Sequence, residues 1–523
     1  MKKFAVKMVL MLLVLMMAFG SCLAEAAVEY PVGNGAKVTI VRKADPDLPT
    51  VGMTSYNEAP GVAAWAEQTG IEIEVIEPAD LNALLVYLAS SDLPDIVVMK
   101  NVGEYPGGIG KMVEDGVASD LTDDLPLYAP DYWEYINNHP EYLSNARMDD
   151  GRFYLIPSTI YPTGSPYRYW FGMVARQEYL DQLGMEFPKT PDDLYTYLKR
   201  CKDELGVETP FMSDVSRWNL AWESGDGSFT APFGVVSTGV YNDNGTVHYG
   251  AAEKEFKDVL LFFNKLYADG LLDPNFTVTD EAIANSAMMS GKSALMLTAA
   301  SRIANMMKAS TDPNFSLVGI PPLNKADGTE AYFVFASTYI EGSFCAFIPE
   351  TTTGERRINA LKLLNYYYTD AGHILSNYGV EGETFDIVDG KYVLNDFMVN
   401  NPDALPLDGL LRTYALMNWP MYYDDEMLAQ RYGLPEQAAA FKNWAANEGD
   451  KYQIQNTSIL PKYADEYAKL WTDIKTYMAE YRSQFIIGAK APETFESEYL
   501  PTLEKMGMPR VLEILQESFE AFN

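Results

Sequence analysis

The chain has 523 residues, 48% of them hydrophobic and 13% aromatic, which is more than one hydrophobic core ordinarily supports and excludes a disordered polymer. Its 39 basic and 73 acidic residues leave a formal net charge of −34, a field that repels nucleic acid and anionic lipid headgroups. A neutral ligand is the simpler expectation, although a few arginines inside a cleft reverse the sign locally.

Lys2, Lys3 and Lys7 precede an unbroken apolar run over 8–19, too short for a comfortable membrane span and right for a secretory leader. Two cleavage readings compete at the end of a leader spanning 1–26. Phe19-Gly20-Ser21-Cys22 has the small residues and cysteine of a bacterial lipoprotein signal, with Phe19 where a leucine-like residue is usual. Ala24-Glu25-Ala26 makes an ordinary A-x-A site, and the lack of a Gly/Ser-rich tether after Cys22 favours it. No second apolar run is long enough to cross a bilayer, so the mature chain is expected outside the cell, secreted or lipid-anchored, and is not itself a permease. Of the three cysteines, Cys201 and Cys345 are expected to be free, buried thiols.

The segment 65–99 reads as helix, strand, helix, strand. Gly70 ends the first helix, Ile71, Ile73 and Val75 alternate with Glu72, Glu74 and Glu77, and Leu81, Leu84, Leu85 and Leu88 recur at helical spacing. Asp92-Leu93-Pro94-Asp95 breaks that helix, and Ile96-Val97-Val98-Met99 follows as a short apolar strand buried on both faces. This is the pattern of a parallel α/β lobe. A strand over 153–157 precedes a turn-rich loop through Tyr161, Pro162, Gly164 and Pro166, where the first crossing between lobes is expected, over 160–167. A new strand from Trp170, a helix from Arg176 to Gly184 and a capped helix start at Thr190-Pro191-Asp192-Asp193 suggest that the same topology returns. A hairpin is expected at Asn242-Asp243-Asn244-Gly245, and Phe256, Val259, Leu260, Phe263, Leu266 and Tyr267 share one face of a long helix. The second crossing is expected over 317–322.

Several of these stretches resemble extracellular solute-binding proteins that feed ABC transporters, of the family 1, large oligosaccharide-binding lipoprotein type. They are the "TGI" turn at 69–71, the S-x-DLPDI run at 90–96, R-x-x-Y-L-D-x-L-G with T-P-D-D-L over 176–194, D-G-L-L-D-P at 269–274, G-K-S-A-L-M at 291–296 and Y-G-V-E-G-E at 378–383. The resemblance covers nearly the whole mature chain; after Asp396 only a helical pattern and aromatic content continue it. It implies a two-lobed α/β periplasmic-binding-protein-like fold with a hinge and a ligand cleft between the lobes. The expected division is lobe 1 over 27–160 and 321–390, and lobe 2 over 161–320 and 391–523, the last part helical. It further implies a monomer that captures an oligosaccharide and delivers it to membrane permease subunits, with no cofactor and no reaction. A binder of peptides or small polyanions on the same scaffold, or a secreted glycan-active enzyme, is the alternative.

Enzyme motifs are weak. Ser286 stands where a phosphate loop before Gly291-Lys292-Ser293 needs its leading glycine, and His139, His248 and His373 share no metal-ligand spacing, each reading as a surface or turn residue. The Asn242–Gly245 turn has calcium-like chemistry but no acid at the closing position of an EF-hand loop. Acids are abundant enough to supply a glycosidase pair by chance, without a motif to select one.

Aromatic residues carry the case for sugar, because a pyranose C–H face lies flat on an aromatic ring while its hydroxyls need amides and carboxylates. Tyr161, Tyr167, Tyr169 and Trp170 cluster at the first crossing; Trp218 and Trp222 flank Asn219; Trp419, Tyr422 and Tyr423 adjoin Asn418, Asp424 and Asp425. Taken singly, any of these reads equally as core. Ligands also gather beyond the carboxyl ends of strands in open α/β sheets, so the loops after strands 38–41 and 96–99 offer Tyr56, Asn57, Asn101 and Glu104. Glu381 sits in the family's Y-G-x-E-G-E run, where a glutamate can touch ligand or brace a turn. The expected ligand set is Tyr56, Asn57, Asn101, Glu104, Tyr161, Tyr167, Trp170, Trp218, Trp222, Glu381, Trp419 and Tyr422, with no metal ligand. Arg302 is expected to pair with a protein carboxylate, and Trp65, Trp133, Trp444 and Trp471 to pack within helical patterns.

Overall fold

The computed structural model describes residues 27–522 apart from 33–34, 91, 101, 107, 140–141, 144–145, 149–150, 159–160, 163, 224–226, 335–343, 404, 446–448 and 455–458. The leader reading, with Cys22, and Asn101 lie outside the described residues. β1 (Ala36–Arg42) pairs in parallel with β2 (Ile71–Ile76) and β3 (Ile96–Met99), and β9 (Cys345–Phe347) joins β3 antiparallel, in the order β2-β1-β3-β9. Local signals explain this sheet. Gly70 closes the helix Pro60–Thr69 at φ 68°, Asp80 caps the helix Leu81–Leu88 by accepting from the Ala83 N–H, and every residue of β3 is buried. The expected strand over 153–157 is reduced to two isolated bridges, Phe153 to Arg147 and Ile156 to Ala346.

The second sheet departs from the expected repeat. β4 (Phe171–Arg176) lies between β7 (Leu295–Ala299) and β8 (Leu317–Gly319), antiparallel to both. β4 runs away from the first crossing, whereas β7 and β8 run back toward it, so the parallel pattern cannot be repeated here. Thr190 and Asp193 form a reciprocal capping box on the helix Pro191–Leu205, as the hydroxyl and acid predict. β5 (Val240–Asp243) and β6 (Thr246–Tyr249) form the expected hairpin, with Asn244 and Gly245 at φ 51° and 91°, the paired positive values that a tight two-residue hairpin turn requires.

The second crossing lies later than 317–322. Leu317–Gly319 is still a strand of the second sheet, and the Val334 N–H still donates to the Val236 carbonyl, while Phe344 already donates to Lys100 of the first lobe. The crossing therefore falls between Val334 and Phe344. The C-terminal part is not one block either. The helix Leu407–Tyr414 packs on the helix Pro60–Thr69, and Arg412 reaches Asp45 and Asp47. The helix Asp425–Arg431 packs on β11 (Lys391–Leu394), which pairs with β10 (Phe385–Val388). Only from the helix Pro435–Trp444, which packs on β4 and β8, does the chain rejoin the second sheet. That makes a third crossing, around Gly433. Beyond it, the long helix Ala464–Ile486 packs against Phe256–Ala268 and Met508–Phe522.

Cys201 and Cys345 are buried free thiols, both pushed up to about 12 by burial.

Candidate ligand-binding cleft

Strand direction places two sheet edges at the crossings. Phe344, just after the second crossing, donates its N–H to the carbonyl of Lys100, which follows the carboxyl end of β3. Phe171, just after the first crossing, pairs with Ala299 at the carboxyl end of β7. Ligand-facing loops in α/β sheets lie beyond such strand ends; Arg42, Lys43, Glu104 and Phe344 gather there in the first lobe, and Trp170, Phe171 and Arg217 beside the matching ends in the second.

The crossings are laced together. Ser165 Oγ donates to Asp425 Oδ1 at 2.6 Å, and Ser158 Oγ to the Met421 carbonyl at 3.2 Å. The half-buried Tyr167 ring stacks on Tyr432 at 5.8 Å and meets Phe441 edge-on at 4.9 Å, joining the first crossing to the third. Trp444 completes this floor: its Nε1–H donates to the Met173 carbonyl, and the ring covers Gly172 so closely that a Cβ there would lie 2.5 Å from it.

Of the expected site residues, Glu104, Trp170 and Tyr167 lie at these strand ends and the first crossing, and Tyr422 follows Met421, which Ser158 ties to that crossing. Glu104 lies 3.7 Å from Lys43 at the first lobe's rim. Trp170 is half-buried beneath the Arg217 guanidinium at 5.5 Å, a cation–π distance, and Tyr167 stands in the hinge. Tyr422 is half-buried in a stack with His373 at 4.1 Å and Tyr135 at 4.5 Å, and burial pushes its hydroxyl up to about 12.

Asn101 lies outside the described residues, and most of the others are packed within the lobes. Tyr56 is buried and donates to Asp45, and both ends of the Asn57 amide are consumed by the Val75 backbone at 2.8 and 2.9 Å. Tyr161 is buried against Tyr423. Trp218 and Trp222 lie in the helix Val215–Glu223, 2% and 4% exposed, against Phe211, Phe229, Phe256 and Phe263, so neither ring has a face for a sugar. Trp419 is fully buried between Tyr56 and Trp65. Glu381 is exposed on a turn that the glycines build: Gly379 has φ 90°, and a Cβ on it would lie 2.4 Å from Thr384 Oγ1.

The remaining motifs resolve as turns and packing. Gly291 at φ 79° turns the chain toward β7, and Arg302 holds Asp214 at 2.8 Å and also Glu281. His139 follows a helix end, but His248 lies in β6 beside Glu253, and His373 lies in the helix Asp370–Tyr378, 3.4 Å from Asp424. Among the described residues no cluster of His, Cys, Asp or Glu is arranged to hold a metal ion.

Sequence reasoning missed Arg42 and Arg217. Arg42 is the last residue of β1 and 3% exposed, its guanidinium 4.1 Å from the Tyr56 ring centroid, 4.6 Å from Trp419 and 5.5 Å from Phe344. The only signal was a basic residue closing an apolar strand, indistinguishable in sequence from a solvated strand end.

A bacterial extracellular solute-binding protein family model matches residues 52–374. The chain belongs to that family. Among relatives of these extracellular solute-binding proteins, it is 25% identical to Lipoprotein LipO of Bacillus subtilis, over 83% of each chain. It is 22% identical to the fructooligosaccharide ABC transporter substrate-binding protein FusA of Streptococcus pneumoniae, over 83% of this chain and 81% of that one. The solved structure of the alginate-binding protein AlgQ2 superposes with a TM-score of 0.74 at 22% identity, covering 94% of this chain and 99% of that one. The fold is thus the two-lobed one, and the solute-binding family works by capture outside the cell.

Proposed function

We propose that this extracellular solute-binding protein captures an oligosaccharide between its lobes and hands it to the membrane subunits of an ABC transporter. The observation that carries this reading is the placement of Trp170, Tyr167 and the Phe344 ring at strand ends and crossings, where aromatic faces and polar groups meet as a sugar requires. The names of two relatives, one a fructooligosaccharide and one an alginate binder, support the same class. Ligand bridging both edges would favour the closed form by its differential affinity for that form, and the permease would read closure. No chemical step is needed.

A ligand that binds only the native state adds RT ln(1 + [L]/Kd), so a micromolar saccharide at millimolar concentration adds about 4 kcal/mol and raises the melting temperature visibly. Melting the protein against a panel of plant, host and microbial oligosaccharides is expected to yield at least one such shift, with calorimetry confirming stoichiometric binding. A panel of peptides that shifts the melt while every saccharide leaves it unmoved overturns the reading.

A further inference from the structure

Arginines in this acidic chain are held by acids almost wherever they occur. Arg176 holds Glu178 and Asp312, Arg302 holds Asp214 and Glu281, Arg357 holds Asp124, and Arg431 holds Asp408. Arg42 and Arg217 are the exceptions that matter. Neither forms an ion pair among the described residues; Nε and Nη1 of Arg42 and Nε of Arg217 are buried with no hydrogen-bond partner. The nearby acids are engaged elsewhere: Asp45 by Arg412 and Tyr56, Asp214 by Arg302 and Ser216.

Removing a cation from water without an acid partner costs several kcal/mol, only partly offset by ring faces. Arg42 has the faces of Tyr56, Trp419 and Phe344, and Trp419 Nε1 beside it is a further buried donor with no acceptor. Arg217 has Trp170 and Phe171, and burial followed by the neighbouring Arg302 pushes its guanidinium down to about 10. Arg42 therefore closes a strand of the first sheet and Arg217 lies in a helix beside the start of β4, each with buried donors unused and no direct ion pair, only Coulombic support from Asp45 for the one and from Asp214 and Glu281 for the other. A ligand carrying anionic oxygens would supply what both lack, one from each side of the cleft.

We propose that Arg42 and Arg217 select an acidic oligosaccharide, one whose sugar carboxylates are received by the two guanidiniums as the lobes close. This rests on the saccharide reading and narrows it. A carboxylate accepts two parallel N–H bonds from a guanidinium, and in a site already dry the pair needs little further desolvation of the protein. The chain's negative field opposes capture at long range, so selectivity comes from contact within the cleft.

The test is calorimetric titration with four-residue oligomers of galacturonic and mannuronic acid, each alongside its methyl-esterified, neutral form and neutral hexose oligomers of equal length. At least one acid oligomer is expected to bind, with its ester weaker by about 30-fold or more, the scale of leaving a desolvated charge unpaired. Arg217→Gln and Arg42→Met should each weaken the acid oligomer about 30-fold or more while leaving the weak affinity for the ester unchanged. Because Arg42→Met removes an unpaired buried charge, its ligand-free melting temperature should stay level or rise, which a packing residue would not allow. Acid and ester binding alike, a neutral hexose oligomer preferred over both, or either variant retaining wild-type affinity for the acid overturns the arginine inference and leaves the saccharide reading standing. If no saccharide of either charge binds, both fall together.

Discussion

Trp218 rests against Phe211, Phe263 and Phe276 at ring separations of 5.1, 5.8 and 6.4 Å, and its side chain reaches no solvent-facing surface of any size. Trp218→Ala therefore opens a cavity in the second lobe and removes no stacking platform. Chemical denaturation is expected to give a loss of about 3–5 kcal/mol, with ligand affinity of the folded fraction unchanged. A variant of wild-type stability that binds sugar poorly would return Trp218 to the site. The sequence misleads here for a physical reason. Asn219 adjoins Trp218 along the chain but is turned about 100° around the helix into solvent, whereas Val215, Trp218, Ala221 and Trp222 share its inward face at spacings of three and four. Trp419 misleads differently: Leu416 and Asn418 take φ 56° and 70°, a local reversal that carries the ring inward and that no periodicity announces. Arg42 is the converse case, a charged residue whose burial depends on rings supplied by residues 56, 344 and 419, so only the assembled fold identifies it.

Elements whose signals are local were legible and those set by distant partners were not. The helix, strand, helix, strand run over 65–99, the capped helix at Thr190 and the Asn-Gly hairpin follow from periodicity, caps and positive φ within a few residues. The antiparallel setting of β4 and the return of the helix Leu407–Tyr414 to the first lobe depend on contacts across hundreds of residues. That returning helix is clasped by Arg412, whose guanidinium meets Asp45 at 3.3 Å and also Asp47. Burial alone pushes the Asp45 carboxyl up, but Arg412, the Asp47 N–H and the Tyr56 hydroxyl outweigh it and hold the group below its ordinary range. A carboxyl whose folded pKa lies below its unfolded value of about 3.9 contributes fully above that value, and the contribution is lost as pH falls through the folded pKa. Asp45→Asn is accordingly expected to cost about 2 kcal/mol at neutral pH, with the gap from wild type closing below about pH 4. Denaturation series at pH 7, 4 and 2.5 check this, and a gap independent of pH would mean that packing, and not charge, sets the cost.

At the scale of the whole molecule, three strands of chain join the lobes, and a hinge must bend all three together. The first and third crossings are fastened by the Ser165 to Asp425 bond and by Tyr167 against Tyr432 and Phe441, so they move as one flexible band. The second crossing falls between Val334, still bonded to the second lobe, and Phe344, already bonded to the first. A fastened band of this kind favours rotation about a line over twist, the motion that would bring the Arg42 edge toward the Arg217 edge. Shifting such an equilibrium from mostly open to mostly closed requires about 5.5 kcal/mol of differential affinity, within reach of a ligand that contacts both edges and out of reach of one that contacts a single lobe. Small-angle scattering is therefore expected to show the radius of gyration falling when saturating ligand is added, each lobe keeping its shape. Tyr167→Ala should loosen the band and weaken ligand binding without large loss of stability, since the ring is half-buried and holds crossings rather than a core. Scattering curves that coincide with and without ligand would show that the cleft binds without closing, and the link from capture to permease would then have to run through something other than lobe rotation.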